Sequence, residues 1–168
     1  MSYKNKDTIG QYINLEGANG LAIARANAIS YIHDRCNTLT DDISKMFKHI
    51  WYASTVMLPH LEVQVVIDSN DMLHVSTGSS GYVDFGINPI GMKLPIKCWI
   101  HTHPFGAAYF SSVDWKTVNT WLPLMQEAFV LGGEHHYGYW TNEYPDMLHI
   151  MGDDNRIRIQ KFSRGEEE

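Results

Sequence analysis

A chain of 168 residues, 44% hydrophobic and 19% charged, has the size and balance of one globular domain with a full core. Its net charge of −6 argues against a general nucleic-acid binder. No apolar run reaches the ~20 residues that a membrane span needs, and the N-terminal lysines precede no apolar signal-peptide core. Two cysteines, Cys36 and Cys98, make no disulfide framework, so a reducing cytoplasm is the expected compartment.

Residues 1–18 carry little pattern and read as a lead-in. From about Asn19 a helix is expected, because Leu21, Ala24, Ala28 and Ile32 fall at helical spacing in an alanine-rich stretch. Asn37-Thr38-Leu39-Thr40 breaks it. A second helix is expected from Thr40, with Asp41 and Asp42 at the positive end of its dipole. Ile43, Met46, Phe47, Ile50, Trp51 and Met57 mark its apolar face, and Pro59 ends it.

Val63 to Ile67 is a β-branched run and reads as a strand. Ser69-Asn70-Asp71 is a turn signal, and Met72 to Ser76 the returning strand. Gly78 to Gly81 reads as a loop, Tyr82 to Phe85 as a further strand, and Ile87 to Pro95 as loop. Lys97 to Thr102 is apolar enough for a buried strand, which Pro104 must stop. A helix is expected from Ser111, with Val118, Trp121, Leu122 and Met125 apolar and Pro123 kinking or ending it. Strands follow at Ala128–Leu131 and His135–Trp140. Met147–Met151 and Arg156–Phe162 flank Gly152-Asp153-Asp154-Asn155 as a hairpin, and the tail from Arg164 reads as frayed.

The chemistry concentrates in one stretch, His101-Thr102-His103-Pro104 followed by Ser111 and Asp114. In a strand His101 and His103 point to one face, while Cys98, Ile100 and Thr102 point to the other. Two imidazoles and a carboxylate give three ligands for a divalent metal. Catalytic zinc commonly takes three protein ligands and leaves a position open, and Cys98 has the wrong parity to fill it. Ser111 with Asp114 is equally the pattern of a helix capping box.

This pattern resembles the signature of the JAMM/MPN+ zinc metalloproteases, which include deubiquitinating and deneddylating isopeptidases and prokaryotic relatives. The resemblance covers about Thr40 to Leu131. It implies an α/β fold: a three-layer α-β-α arrangement, a mixed central β-sheet flanked by helices, with a cytidine-deaminase-like core. It implies a single domain over 1–168, with 1–39 an N-terminal helical extension. It further implies one Zn²⁺ per chain on His101, His103 and Asp114, with Ser111 stabilising the tetrahedral intermediate. An upstream glutamate acts as general acid and base in that family.

Glu62 is the expected glutamate, a charged residue at a helix-to-strand junction in the order the family uses. Glu16 and Glu127 are weaker candidates. The sequence departs from the family where a glycine-rich strand is usual, since Val63-Gln64-Val65-Val66-Ile67 stands there. The expected activity is hydrolysis of peptide or isopeptide bonds, at the C-terminal tail of a ubiquitin-like protein added as a strand beside the site. Two other readings stay open: a hydrolase of the same fold acting on small or cell-wall peptides or sulfur-carrier adducts, and a non-catalytic interaction scaffold. His33, His49, His60, His74 and His149 are expected to be structural or surface residues. His135 and His136 are expected to face opposite ways. The aromatic patch of Tyr137, Tyr139, Trp140 and Tyr144 is expected to pack the core. Oligomeric state is not legible.

Overall fold

A computed structural model describes residues 17–36, 42–78, 91–152 and 156–163. Thr40, Glu16, the Tyr82–Phe85 strand, the hairpin turn at 153–155 and the C-terminal tail lie outside these.

The first helix, α1, spans Gly17–Cys36. Its buried residues, Ala28, Ile32 and Cys36, recur every fourth position, a narrow stripe that docks one face and leaves the rest to water. Asp42 caps the next segment by accepting the Ser44 backbone N–H. That segment is compound: a 3₁₀ turn at Ile43–Met46, the helix α2 at Phe47–Tyr52, and a π-helical turn at Ala53–Met57. One uniform helix was expected here. The wider closing turn alters the side-chain spacing, and Ala53 and Ser54 are both buried in it.

Seven strands follow: β1 Glu62–Ile67, β2 Leu73–Gly78, β3 Ile96–Thr102, β4 Met125–Leu131, β5 Tyr137–Thr141, β6 Met147–Met151 and β7 Ile157–Lys161. They form one sheet in the order β2-β1-β3-β4-β5-β6-β7. All neighbours are antiparallel except β3 and β4. A parallel pair needs a crossover, and α3, Ser112–Trp121, supplies it. Trp121 ends that helix, Pro123 sits in a short 3₁₀ turn, and Met125 opens β4. The helical reading of Met125 is therefore corrected: it is a buried strand residue. β5 begins at Tyr137, so His135 and His136 precede it rather than belong to it.

The sheet is covered on both faces by different helices. On one face Ile32 of α1 and Phe47 and Ile50 of α2 pack on Val63, Val65, Cys98, Ile100 and Leu131. On the other, Trp115 and Val118 of α3 pack on Trp99, Ala128, Val130, Trp140 and Leu148. β1 and β3 read as nearly continuous buried strands because both their faces are covered. The architecture is thus mixed α/β with helices on either side of an open mixed sheet. No described helix is long and apolar enough to cross a membrane.

Candidate metal centre

β3 delivers the first ligand residue. His101 sits opposite Gln64 of β1 and Val130 of β4, in the middle of the sheet and fully buried. Its ring stacks on Trp99, two residues back on the same face, at 4.3 Å and 9°. Phe110 lies nearly parallel to it at 6.2 Å. The indole N–H of Trp99 donates to Gln64 Oε1 at 3.2 Å, which fixes the plate against which the imidazole rests.

The chain leaves the sheet one residue later. His103 N–H donates to Leu131 O at 2.8 Å, extending the β3–β4 pairing just past the strand. Pro104 then occupies the second position of a tight turn, closed by Gly106 N–H to His103 O at 3.0 Å. Proline presets the backbone there, and Gly106 takes φ +95°, a conformation glycine adopts readily. The returning loop places Ala107 O 2.8 Å from His103 Nδ1. A proton held on Nδ1 leaves the Nε2 lone pair facing the site, an arrangement common in metal-bound histidines.

Asp114 arrives on the first turn of α3. Both readings of the Ser111–Asp114 pattern hold at once. Ser111 Oγ accepts the Asp114 backbone N–H at 3.1 Å, and Asp114 Oδ2 accepts the Ser111 N–H at 3.0 Å. The capping box is the device that aims the carboxylate. Oδ2 lies 3.0 Å from His103 Nε2, and Oδ1 lies 3.1 Å from His101 Nε2.

The donor set fits a divalent cation. Ligand atoms of His101, His103 and Asp114 all lie within 4.8 Å of one another. His101 Nε2 and Asp114 Oδ1 are buried, and although close they lack hydrogen-bond geometry. Buried polar atoms without hydrogen bonds are rare and costly, and a cation on which their lone pairs converge relieves that cost. Burial acts to raise the Asp114 pKa, but His101, His103 and the Ser111 N–H outweigh it and hold the carboxyl well below its usual range. Burial likewise acts to lower His103, but Asp114, Ala107 O and Glu62 hold it above the ordinary histidine value.

Glu62 is the first residue of β1, which lies between β2 and β3 and is not a sheet edge. Its Oε1 is buried and has no hydrogen-bond partner. Burial raises its pKa, partly offset by the nearby charges of His101 and His103. The antiparallel register that sets Gln64 opposite His101 brings Glu62, two residues earlier on the same face, level with His103. Glu127 belongs elsewhere: its carboxylate accepts the Tyr139 hydroxyl at 2.8 Å, and its side chain shares a face with Phe129 and Cys98, away from His101. Cys98 is buried in the α1/α2-side core, as its parity requires.

Other residues that shape the site carry no motif. Thr102 Oγ1 accepts the Val63 N–H at 3.0 Å and lies 2.9 Å from Ser54 Oγ, which donates to Leu61 O at 2.6 Å. Leu61 and Val63 flank Glu62, so this buried pair anchors the glutamate's backbone to β3. The sequence reading missed both Trp99 and Ser54: the same-face alternation of Trp99, His101 and His103 is the signal that could have found the indole, and no local signal marks Ser54. Among the histidines outside the motif, His49 pairs with Tyr31, His74 with Asp68 and His136 with Met151 O. His135 is exposed. Trp140 is core, whereas Tyr144 is 55% exposed and does not pack there. Comparison of the chain with protein-family models, with curated proteins and with solved structures finds no match.

Proposed function

We propose that this protein is a zinc-dependent metallopeptidase of the JAMM/MPN+ type, cleaving peptide or isopeptide bonds, with the C-terminal tail of a ubiquitin-like protein as the expected substrate. One observation carries the reading: three convergent ligand residues with an unpartnered, buried Glu62 carboxylate oxygen beside them. His101, His103 and Asp114 would hold one Zn²⁺ per chain.

When bound there, zinc supplies Lewis acidity and lowers the pKa of water towards ~7. Glu62 takes a proton from the attacking water on its carboxylate. Burial raises its pKa, which favours a carboxyl that takes up that proton and gives it back. It then passes the proton to the leaving amine nitrogen as the C–N bond breaks. Ser111 Oγ accepts from the Asp114 N–H, so its own O–H is left to donate to the carbonyl oxygen as negative charge gathers, a contribution on the order of 3 kcal/mol. The His101 ring, held against Trp99, and the His103 ring, held by Ala107 O, stay in place while charge moves.

Zinc content by elemental mass spectrometry tests the metal part. One zinc per chain, lost in His103→Ala, is expected; no zinc after reconstitution would end the reading. For the catalytic part, Glu62→Gln should keep its zinc and lose on the order of 10²–10⁴ in turnover of a ubiquitin-like fusion. Retained turnover removes Glu62 from the mechanism.

A further inference from the structure

The helices α1 and α2 cover β1, β3 and the end of β4, and the sheet runs on beyond them. Two cross-strand rows run out onto this part from under Phe47 of α2, which packs on Phe129 and Tyr137. In one, Phe129 is opposite Tyr139, Tyr139 opposite His149, and His149 opposite Ile159. In the other, Leu131, Tyr137, Met151 and Ile157 follow in the same way. Directly opposed residues share a face, so the rows make one surface, on the side of the sheet away from His101. Ile157 and Ile159 on it are 60% and 51% exposed. With Ile43 and Ser44 as a wall, the surface becomes a cleft of about 500 Å³, within the range of small-molecule sites.

The charged side chains that line this cleft are carboxylates, Asp42 and Glu127, beside the hydroxyls of Ser44, Tyr137 and Tyr139 and the His149 ring. Glu127 presents a carboxylate, of which Oε2 accepts the Tyr139 hydroxyl. His149 Nδ1 is buried with no hydrogen-bond partner, and it is an acceptor when the ring proton sits on Nε2. Among the described residues, no lysine or arginine lines the cleft. The remaining lining includes the rings of Phe129, Tyr137 and Tyr139, packed 5.0–6.0 Å apart. Aromatic faces and a carboxylate attract cations and repel anions.

We propose that this cleft binds a small organic cation, an ammonium or amidinium group on a flat apolar body, at a site separate from the metal centre. The body lies on the aromatic row. The cationic N–H groups donate to the Glu127 carboxylate. The proposal does not depend on the metallopeptidase reading, because no metal ligand lines the cleft.

The test is titration of the ¹⁵N-labelled protein with benzamidinium, and separately with benzoate, which has a similar shape and the opposite charge. Benzamidinium should shift the amides of Glu127, Tyr139 and His149 in a saturable way, and benzoate should not. Glu127→Gln should weaken binding about tenfold or more, as expected for loss of a charged acceptor. Tyr137→Leu, which removes an aromatic face but keeps an apolar side chain, should also weaken benzamidinium binding and gives a second reading if the first variant folds poorly. Equal binding of benzoate, shifts confined to other amides, or unchanged affinity in a folded variant would overturn the proposal.

Discussion

Thr102 separates the two histidines of the motif, yet its side chain does its work on the far side of the strand. Because Ser54 uses its proton on Leu61 O, the Thr102 hydroxyl donates to Ser54 and accepts from Val63 N–H. Every polar atom of this buried knot is paired. Thr102→Val preserves shape and removes the hydroxyl, leaving the Val63 N–H buried and unpaired. Denaturant unfolding should show a loss of about 1–3 kcal/mol, and Thr102→Ser should recover most of it. If Thr102→Val matches the parent in stability and in activity, the knot does not position Glu62. At this scale the sequence was informative where chemistry is local. His101 and His103 could be placed on one face by strand parity alone. Ser54 could not be linked to Thr102, since the two are 48 positions apart and no periodicity spans that gap.

Among elements, the start of α3 does two jobs with one pair of side chains. The capping box satisfies backbone N–H groups that the first helical turn leaves orphaned, and the same carboxylate faces both histidines. Ser111→Ala removes the acceptor for the Asp114 N–H. It should cost about 1 kcal/mol of stability and weaken zinc retention against a chelator, both measurable on one preparation with and without metal. Unchanged zinc affinity would show that the cap does not aim Asp114. The loop between β3 and α3 is seated by Gly138 of β5, where an added Cβ would meet Ala108 O and Val130 Cγ1 at 2.9 Å. That glycine looked unremarkable within its aromatic stretch, because its role is to make room for a loop about thirty positions earlier in the chain. Helix types were harder to read than helix positions. Burial of Ala53 and Ser54 goes with a π turn after α2, and the apolar spacing of 43–57 does not reveal it.

For the molecule as a whole, acid stability should depend on a residue outside the site. Asp68 is fully buried at the end of β1 and accepts hydrogen bonds from Asn70 N, Met72 N and Lys93 N, with His74 Nε2 at 3.0 Å. Burial alone would raise its pKa, but these partners lower it to about 2. A carboxyl depressed on folding stabilises the native state fully above its unfolded pKa near ~3.9. That stabilisation, on the order of 2 kcal/mol, is lost as pH falls through the folded value. Urea unfolding between pH ~4 and ~2 should therefore show falling stability, with a shallower slope in Asp68→Asn. An identical slope in the variant would assign the acid sensitivity to other carboxylates.

The sequence by itself determined the local content of this protein: the strand at β3, the shared face of its two histidines, the cap at Ser111, the helical stripe of α1, and the glutamate at the mouth of β1. Each follows from residue spacing of a few positions and from the geometry of a single element. Only the tertiary structure decided what those elements meet. It placed β1 inside the sheet, so Glu62 is half-buried on the face of the candidate metal ligands and not on a solvated edge. It folded α3 back so that Asp114 reaches both imidazoles. It turned Glu127 and Phe129 of β4 and the tyrosines of β5 to the opposite face, where they line a second cleft. Pairing order and long-range packing depend on contacts between distant parts of the chain, and no local pattern of side chains encodes them.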